Sequence, residues 1–163
     1  QIPEYLDAFW RGDPLAFRRQ YFAHLAESAE SGLFDSLAHP DLVKNAEPKG
    51  WDFEKLRPAI AAALDRIAKT GVAMELNTSG LNKPFPEMNP GPEMLQMMAE
   101  RDIPVVIGSD AHTPRRVADQ FPRALDQLVE AGFKTVSVFR ERKRSDLPIT
   151  QVQASLSVPR SAF

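Results

Sequence analysis

Cysteine is absent from this chain of 163 residues, which excludes disulfides, thiolate metal sites and a cysteine nucleophile. A metal would have to be held by His, Asp or Glu, and histidine is scarce, with 3 in the whole chain. No apolar run approaches the roughly 20 residues that a spanning helix requires, and the N-terminus lacks a basic segment followed by an apolar stretch. The expectation is a soluble, cytoplasmic protein with no membrane partner. An excess of either charge is missing too, since 20 Lys+Arg stand against 22 Asp+Glu for a net charge of −2. A dedicated nucleic-acid binder carries a basic excess, so long nucleic acids are disfavoured as partners. The first residue is Gln1 rather than Met, and the expectation is that something upstream is missing.

What is present suits one globular unit: 43% hydrophobic and 26% charged residues are near the averages for proteins that bury a core. A unit recurs in which an amphipathic helix ends, a short turn follows, and an apolar run stops at polar residues. The helix-to-strand junctions fall at Gly32, Gly71, Asp102 and Gly132, where a helix C-terminus favours a left-handed residue. They lie about 30–40 residues apart, the size of a βα unit.

Strands are predicted over 33–38, 72–77, 103–108 and 134–139, the third through the run Val105-Val106-Ile107 expected of a strand buried on both faces. Asp13-Pro14 and Asp52 supply helix starts. Leu56, Ile60, Ala63, Leu64 and Ile67 fall on one helical face, as do Met94, Leu95 and Met98, and Leu125, Leu128 and Val129 are expected to point inward. Strict alternation predicts an α/β fold with parallel strands and helices outside. Residues 1–145 form the predicted domain, and 146–163, rich in Ser, Pro and Gln, a loose or surface-hugging tail.

In parallel α/β folds the site lies at the carboxyl ends of the strands. There the sequence places His39-Pro40-Asp41, Glu75-Leu76-Asn77-Thr78-Ser79-Gly80 and Gly108-Ser109-Asp110-Ala111-His112, and Arg140 and Arg142 after the fourth strand. In extended backbone Asp110 and His112 project to the same side, where a carboxylate and an imidazole can share a divalent cation, and His39 could complete the site. The plain alternative is that Asp110 and His112 pair with each other or cap the next helix, with His39 a half-buried hydrogen-bonding residue. His24 sits mid-helix and reads as structural.

These three segments, in this order, resemble the later motifs of the polymerase and histidinol phosphatase (PHP) superfamily, above all its histidinol-phosphatase branch, from about Tyr21 to about Arg144. The resemblance implies a distorted (β/α)7 TIM-like barrel, of which the chain would be the second half with four βα units. It implies up to three divalent ions (Zn, Mn or Fe) at the mouth, with His39, Asp110 and His112 as metal ligands and Asp110 and His112 catalytic. The implied activity is hydrolysis of a small phosphorylated substrate by metal-activated water, with histidinol phosphate, and so histidine biosynthesis, the nearest example.

The chain departs from the family in two ways. The N-terminal His-x-His motif and further ligands are missing, so the chain resembles a C-terminal portion whose partner is the absent N-terminal half of the barrel or a second copy. Where the branch places basic residues just after its His-x-Asp-Leu and Asn-Thr-Ser-Gly segments, this sequence has Lys44 and Lys83 rather than Arg. Both are expected as point charges toward substrate. Arg115 and Arg140 are further candidates for a phosphate, and Glu75 and Asn77 for positioning substrate or ligands. Two other functions fit the same residues: a nucleotide or oligonucleotide phosphoesterase of the superfamily, and a truncated, non-catalytic module.

Overall fold

Helix starts and stops follow the local chemistry closely. In the computed structural model, which describes residues 12–156, α1 (Pro14–Glu30) begins where Asp13 accepts hydrogen bonds from the Leu15 and Ala16 N–H groups. α2 (Phe53–Ala68) begins where Asp52 accepts from Lys55 N–H. All four helix-to-strand junctions are left-handed, with φ of 69° at Gly32, 72° at Gly71, 51° at Asp102 and 103° at Gly132.

α1 buries Phe22, Ala26 and Ala29, and α2 buries Leu56, Ile60, Ala63, Leu64 and Ile67. Full burial of a Leu or Ile stabilises by about 1.5–3 kcal/mol relative to exposure, so this helix pair forms a large part of the core. Arg18, also buried, braces α1 against the loop before α2. Its guanidinium donates to the carbonyls of Gly50 and Glu47, pairs with the Glu47 carboxylate at 3.2 Å, and lies over the Trp51 ring.

Three strands form a parallel sheet in the order β1 (Ser36–Leu37), β2 (Ala73–Asn77), β3 (Val105–Gly108). Helices α2 and α3 (Pro92–Ala99) make the two crossovers. The register pairs Leu37 with Met74 and Asn77 with Gly108, so β2 and β3 end level with one another. Met74 and Leu76 are fully buried on one face of β2, and Glu75 stands half-buried on the other. The methionines of α3 are packed into the core.

Several expectations are corrected here. Among the described residues the sheet is open, with three parallel strands rather than four. The fourth predicted strand, β4 (Thr135–Arg140), pairs antiparallel with β5 (Lys143–Pro148). The turn between them has both central residues left-handed, Glu141 at φ 50° and Arg142 at 62°. That is the backbone of a two-residue hairpin that usually takes Asn-Gly, so no turn signal was visible in Arg140-Glu141-Arg142-Lys143.

The predicted tail boundary at 146 cuts through β5. It is followed by α5 (Ile149–Leu156), anchored by the buried Ile149, while 157–163 lie outside the described residues. β1 is shorter than predicted, with Leu33 and Phe34 exposed. In α4 (Phe121–Ala131), Leu125 and Leu128 are buried but Val129 is exposed, because it lies about 100° around the helix from Leu128. Val106 and Ile107 are only half-buried, as no strand is hydrogen-bonded along the outer edge of β3 among the described residues.

Candidate functional site

The carboxyl ends of β1, β2 and β3 carry His39, Glu75 with Asn77, and Asp110 with His112. His39 follows β1 with φ 30°, and Asp110 follows β3 with φ 45°. Left-handed backbone is costly for residues with a Cβ and clusters at functional sites. Two candidate ligands on different strands share it.

Glu75 links the strand ends. Its Oε2 accepts hydrogen bonds from the His39 N–H at 2.8 Å and from Asn77 Nδ2 at 3.0 Å. Its other oxygen lies over Gly108, where any Cβ would overlap it. Asn77, buried, accepts from Ser79 N–H through Oδ1 at 2.9 Å and so starts the 3-10 turn Thr78–Asn82. Ser79 Oγ in turn donates to Asp110 Oδ2 at 3.4 Å. Glu75 and Asn77 thus share a face, as the two-residue alternation predicts.

Asp110 and His112 do not project side by side from extended backbone. Asp110 is left-handed, and the His112 ring turns back so that Nδ1 lies 2.8 Å from the Asp110 carbonyl oxygen and 3.9 Å from Oδ1. A carbonyl only accepts, so the contact assigns the proton to Nδ1 and leaves the Nε2 lone pair free. This is the tautomer of many metal-ligating histidines. The ring is 83% exposed. The two imidazoles and the carboxylate match a borderline divalent ion in donor chemistry. Among the described residues, however, no three His, Asp or Glu side chains converge closely enough to hold a metal ion.

Lys44, expected to face substrate, is fully buried. Its ammonium is engaged by Asp41 Oδ2 at 2.8 Å, Glu87 Oε1 at 2.6 Å and the Met88 carbonyl at 3.0 Å. Asp41 also accepts from Asn89 Nδ2 at 2.6 Å and from Gly91 N–H at 2.8 Å. The loop after β1 is thereby locked to the 83–91 loop. Burial raises the Glu87 carboxyl above its ordinary value, outweighing the nearby Lys44 charge. Burial and the Asp41 charge also push the Tyr21 phenol up to about 12.

Arg140 lies at the wrong end for a phosphate at the strand ends. Two residues on, Arg142 pairs with Asp35, just before β1, at 3.1 Å, and Arg144 Nη1 donates to the Gly71 carbonyl, just before β2. The hairpin therefore crosses the amino ends of the sheet, and the ion-pair alternative accounts for Arg142. Lys83 and Arg115 do lie at the carboxyl ends. Lys83, half-buried, closes the turn after β2, and Arg115 is exposed in the short 3-10 turn Pro114–Arg116 after β3.

Nothing in the sequence pointed to a role for Asp41 or Asn89, and Gly108 was expected only to relieve crowding where β3 opens into its loop. Asp41, two residues after His39, and the Asn89-Pro90 dipeptide were visible but carried no sign that they would meet. Gly80 is needed where they meet, because a Cβ there would overlap the Glu87 carbonyl and the Asn89 side chain.

No family model matches the chain. It is 39% identical over 142 residues to a protein of Deinococcus radiodurans named probable histidinol-phosphatase. The match covers 86% of this chain and 52% of that protein, so the chain spans about half the length of the curated relative it matches. A continuous stretch of that extent takes in all the strand ends from His39 to His112, and the chain is thus similar to a probable histidinol-phosphatase across its candidate site.

Proposed function

We propose that the chain is part of a metal-dependent phosphoesterase of the PHP type that hydrolyses a small phosphomonoester, with histidinol phosphate the leading substrate. The observation that carries this reading is the 39% identity to a probable histidinol-phosphatase, over a region whose His39, Asp110 and His112 lie at the carboxyl ends of β1 and β3, on either side of β2. These three would hold a divalent ion (Zn, Mn or Fe) together with donors from the remainder of the complete protein. The ion, when bound, supplies Lewis acidity toward the phosphoryl group.

The chain's own residues orient and bind. The Asp110 carbonyl holds His112 with its Nε2 lone pair outward, and Glu75 holds the backbone of His39. Lys83 and Arg115, in the turns after β2 and β3, would attract the phosphate dianion, Arg115 with a fork suited to two hydrogen bonds. Lys44, buried in its own ion pairs, and Arg140, on the hairpin that crosses the amino ends of the sheet, are left out of this reading. The barrel, its completion by the other half of the protein, and a cytoplasmic location belong to the same proposal; no helix among the described residues is long and apolar enough to cross a membrane.

Replacing Asp110 or His112 by Ala in the complete protein should abolish hydrolysis of histidinol phosphate, and normal turnover by either variant would overturn the assignment. A panel adding nucleoside monophosphates and short single strands separates this substrate from those of other superfamily branches. The second reading, a non-catalytic module, draws on the lack of three converging donors among the described residues. It predicts no stoichiometric Zn, Mn or Fe in the purified complete protein.

A further inference from the structure

His39 and Asp110 come from strands that are not neighbours, with β2 between them. Each sits in left-handed backbone that no local glycine explains, so their placement requires support from outside their own segments. One continuous set of hydrogen bonds supplies it: His39 N–H to Glu75 Oε2, Asn77 Nδ2 to the same oxygen, Ser79 N–H to Asn77 Oδ1, and Ser79 Oγ to Asp110 Oδ2. Glu75 is its keystone because one oxygen accepts both donors while the other rests over Gly108 on the third strand.

We propose that Glu75 is the positioning residue of this site, holding His39 in place through its backbone N–H and coupling it, by way of Asn77 and Ser79, to Asp110. Glu75 acts as a hydrogen-bond acceptor and not as a metal donor. The inference rests on the functional reading above for what the site does, and on the hydrogen bonds alone for how it is held. It makes a specific demand on chemistry. A glutamine at 75 keeps one carbonyl oxygen able to accept from both His39 and Asn77, so removing the charge is tolerated and removing the side chain is not.

The test uses the complete protein with Glu75→Gln, Glu75→Ala and Asn77→Asp, the last deleting the donor to Glu75 while keeping the acceptor for Ser79. Thermal melts establish that each variant is folded. Two quantities are then measured: amide hydrogen exchange at His39 and the dissociation constant for Mn2+ followed by electron paramagnetic resonance. Glu75→Ala should speed His39 exchange about tenfold or more. It should also weaken Mn2+ binding by about 10–100-fold, the usual loss when a partner of a ligand is removed, with Glu75→Gln within about threefold of wild type. Asn77→Asp should weaken Mn2+ binding in the same direction, and it carries the test if Glu75→Ala does not fold.

Unchanged His39 exchange in folded Glu75→Ala overturns the proposal. So does a Glu75→Gln variant that loses Mn2+ as fully as Glu75→Ala with His39 still protected, since that result makes Glu75 a direct ligand. A wild-type protein that neither binds Mn2+ nor hydrolyses phosphomonoesters overturns the functional reading instead, and His39 exchange then still decides whether Glu75 holds this backbone.

Discussion

Lys44 Nζ lies 2.8 Å from Asp41 Oδ2, and neither side chain is more than 3% exposed. The pair closes the loop after β1 onto the 83–91 loop, with Glu87, Asn89 and Gly91 completing the hydrogen bonds. Removing one member of a buried pair strands the charge of the other, at a cost of about 3–5 kcal/mol. Lys44→Met should lower the unfolding free energy by that order in urea titrations. Adding Asp41→Asn to it should recover part of the loss.

Glu87 gives this network a pH dependence of known sign. Burial raises its carboxyl pKa in the folded state, against the opposing hydrogen bond and charge of Lys44, with Asp41 and Glu93 adding to the rise. The folded protein therefore holds this proton more tightly than the unfolded chain. The contribution is fully present below the unfolded pKa and is lost as pH rises through the folded one. Glu87→Gln should gain stability relative to wild type as pH climbs through that window, seen as converging or crossing urea midpoints.

Tyr21 offers a spectroscopic check on the packing behind the same loop. With its phenol pushed up to about 12 by burial and the Asp41 charge, one of the chain's 2 tyrosines should ionise well above the ordinary range in an ultraviolet absorbance titration. Tyr21→Phe should remove that late transition. Because the folded pKa is raised, the protonated form favours the fold, and alkali should destabilise wild type more than Tyr21→Phe.

Gly108 is required by a neighbour rather than by its own backbone. A Cβ there would overlap Glu75 Oε1, so Gly108→Ala should displace the Glu75 carboxylate and free the His39 N–H. On the phosphatase reading proposed above, turnover of histidinol phosphate by the complete protein should fall about 10–100-fold in kcat/KM. Gly108→Ala with normal kinetics would show that the Glu75 contact has no bearing on turnover.

Gly71 is the opposite case. Its φ of 72° is left-handed and no atom lies within 4 Å of where a Cβ would stand. Gly71→Ala should therefore carry the backbone penalty alone, about 1–2 kcal/mol, measurable as a lowered midpoint in denaturant with activity unchanged.

The features legible in the sequence are those decided within a few residues. Asp13 and Asp52 cap helices because their carboxylates reach N–H groups two or three positions away. The junctions at Gly32, Gly71, Asp102 and Gly132 announce themselves because a left-handed stop is a local demand. The stripe from Leu56 to Ile67 was legible because its spacing repeats with the helix. The strand ends bearing His39, Glu75 and Asp110 followed from where each apolar run stopped.

What was misread depends on partners far along the chain. Lys44 looked free because Glu87 and Met88, which bury it, lie more than 40 residues away. Arg140 looked like a site residue because β4 was assumed to continue the parallel sheet. A left-handed turn at Glu141 and Arg142, held by Asp35 more than 100 residues back, sends it across the opposite end. The helices α1 to α4, the apolar strand runs up to residue 139 and the strand ends that carry donor side chains follow from the sequence alone, because caps, glycines and hydrophobic period act over one or two turns. The burial of Lys44 and the bridge from His39 through Glu75 to Asp110 were not legible, because they depend on which groups distant in the chain meet in the fold.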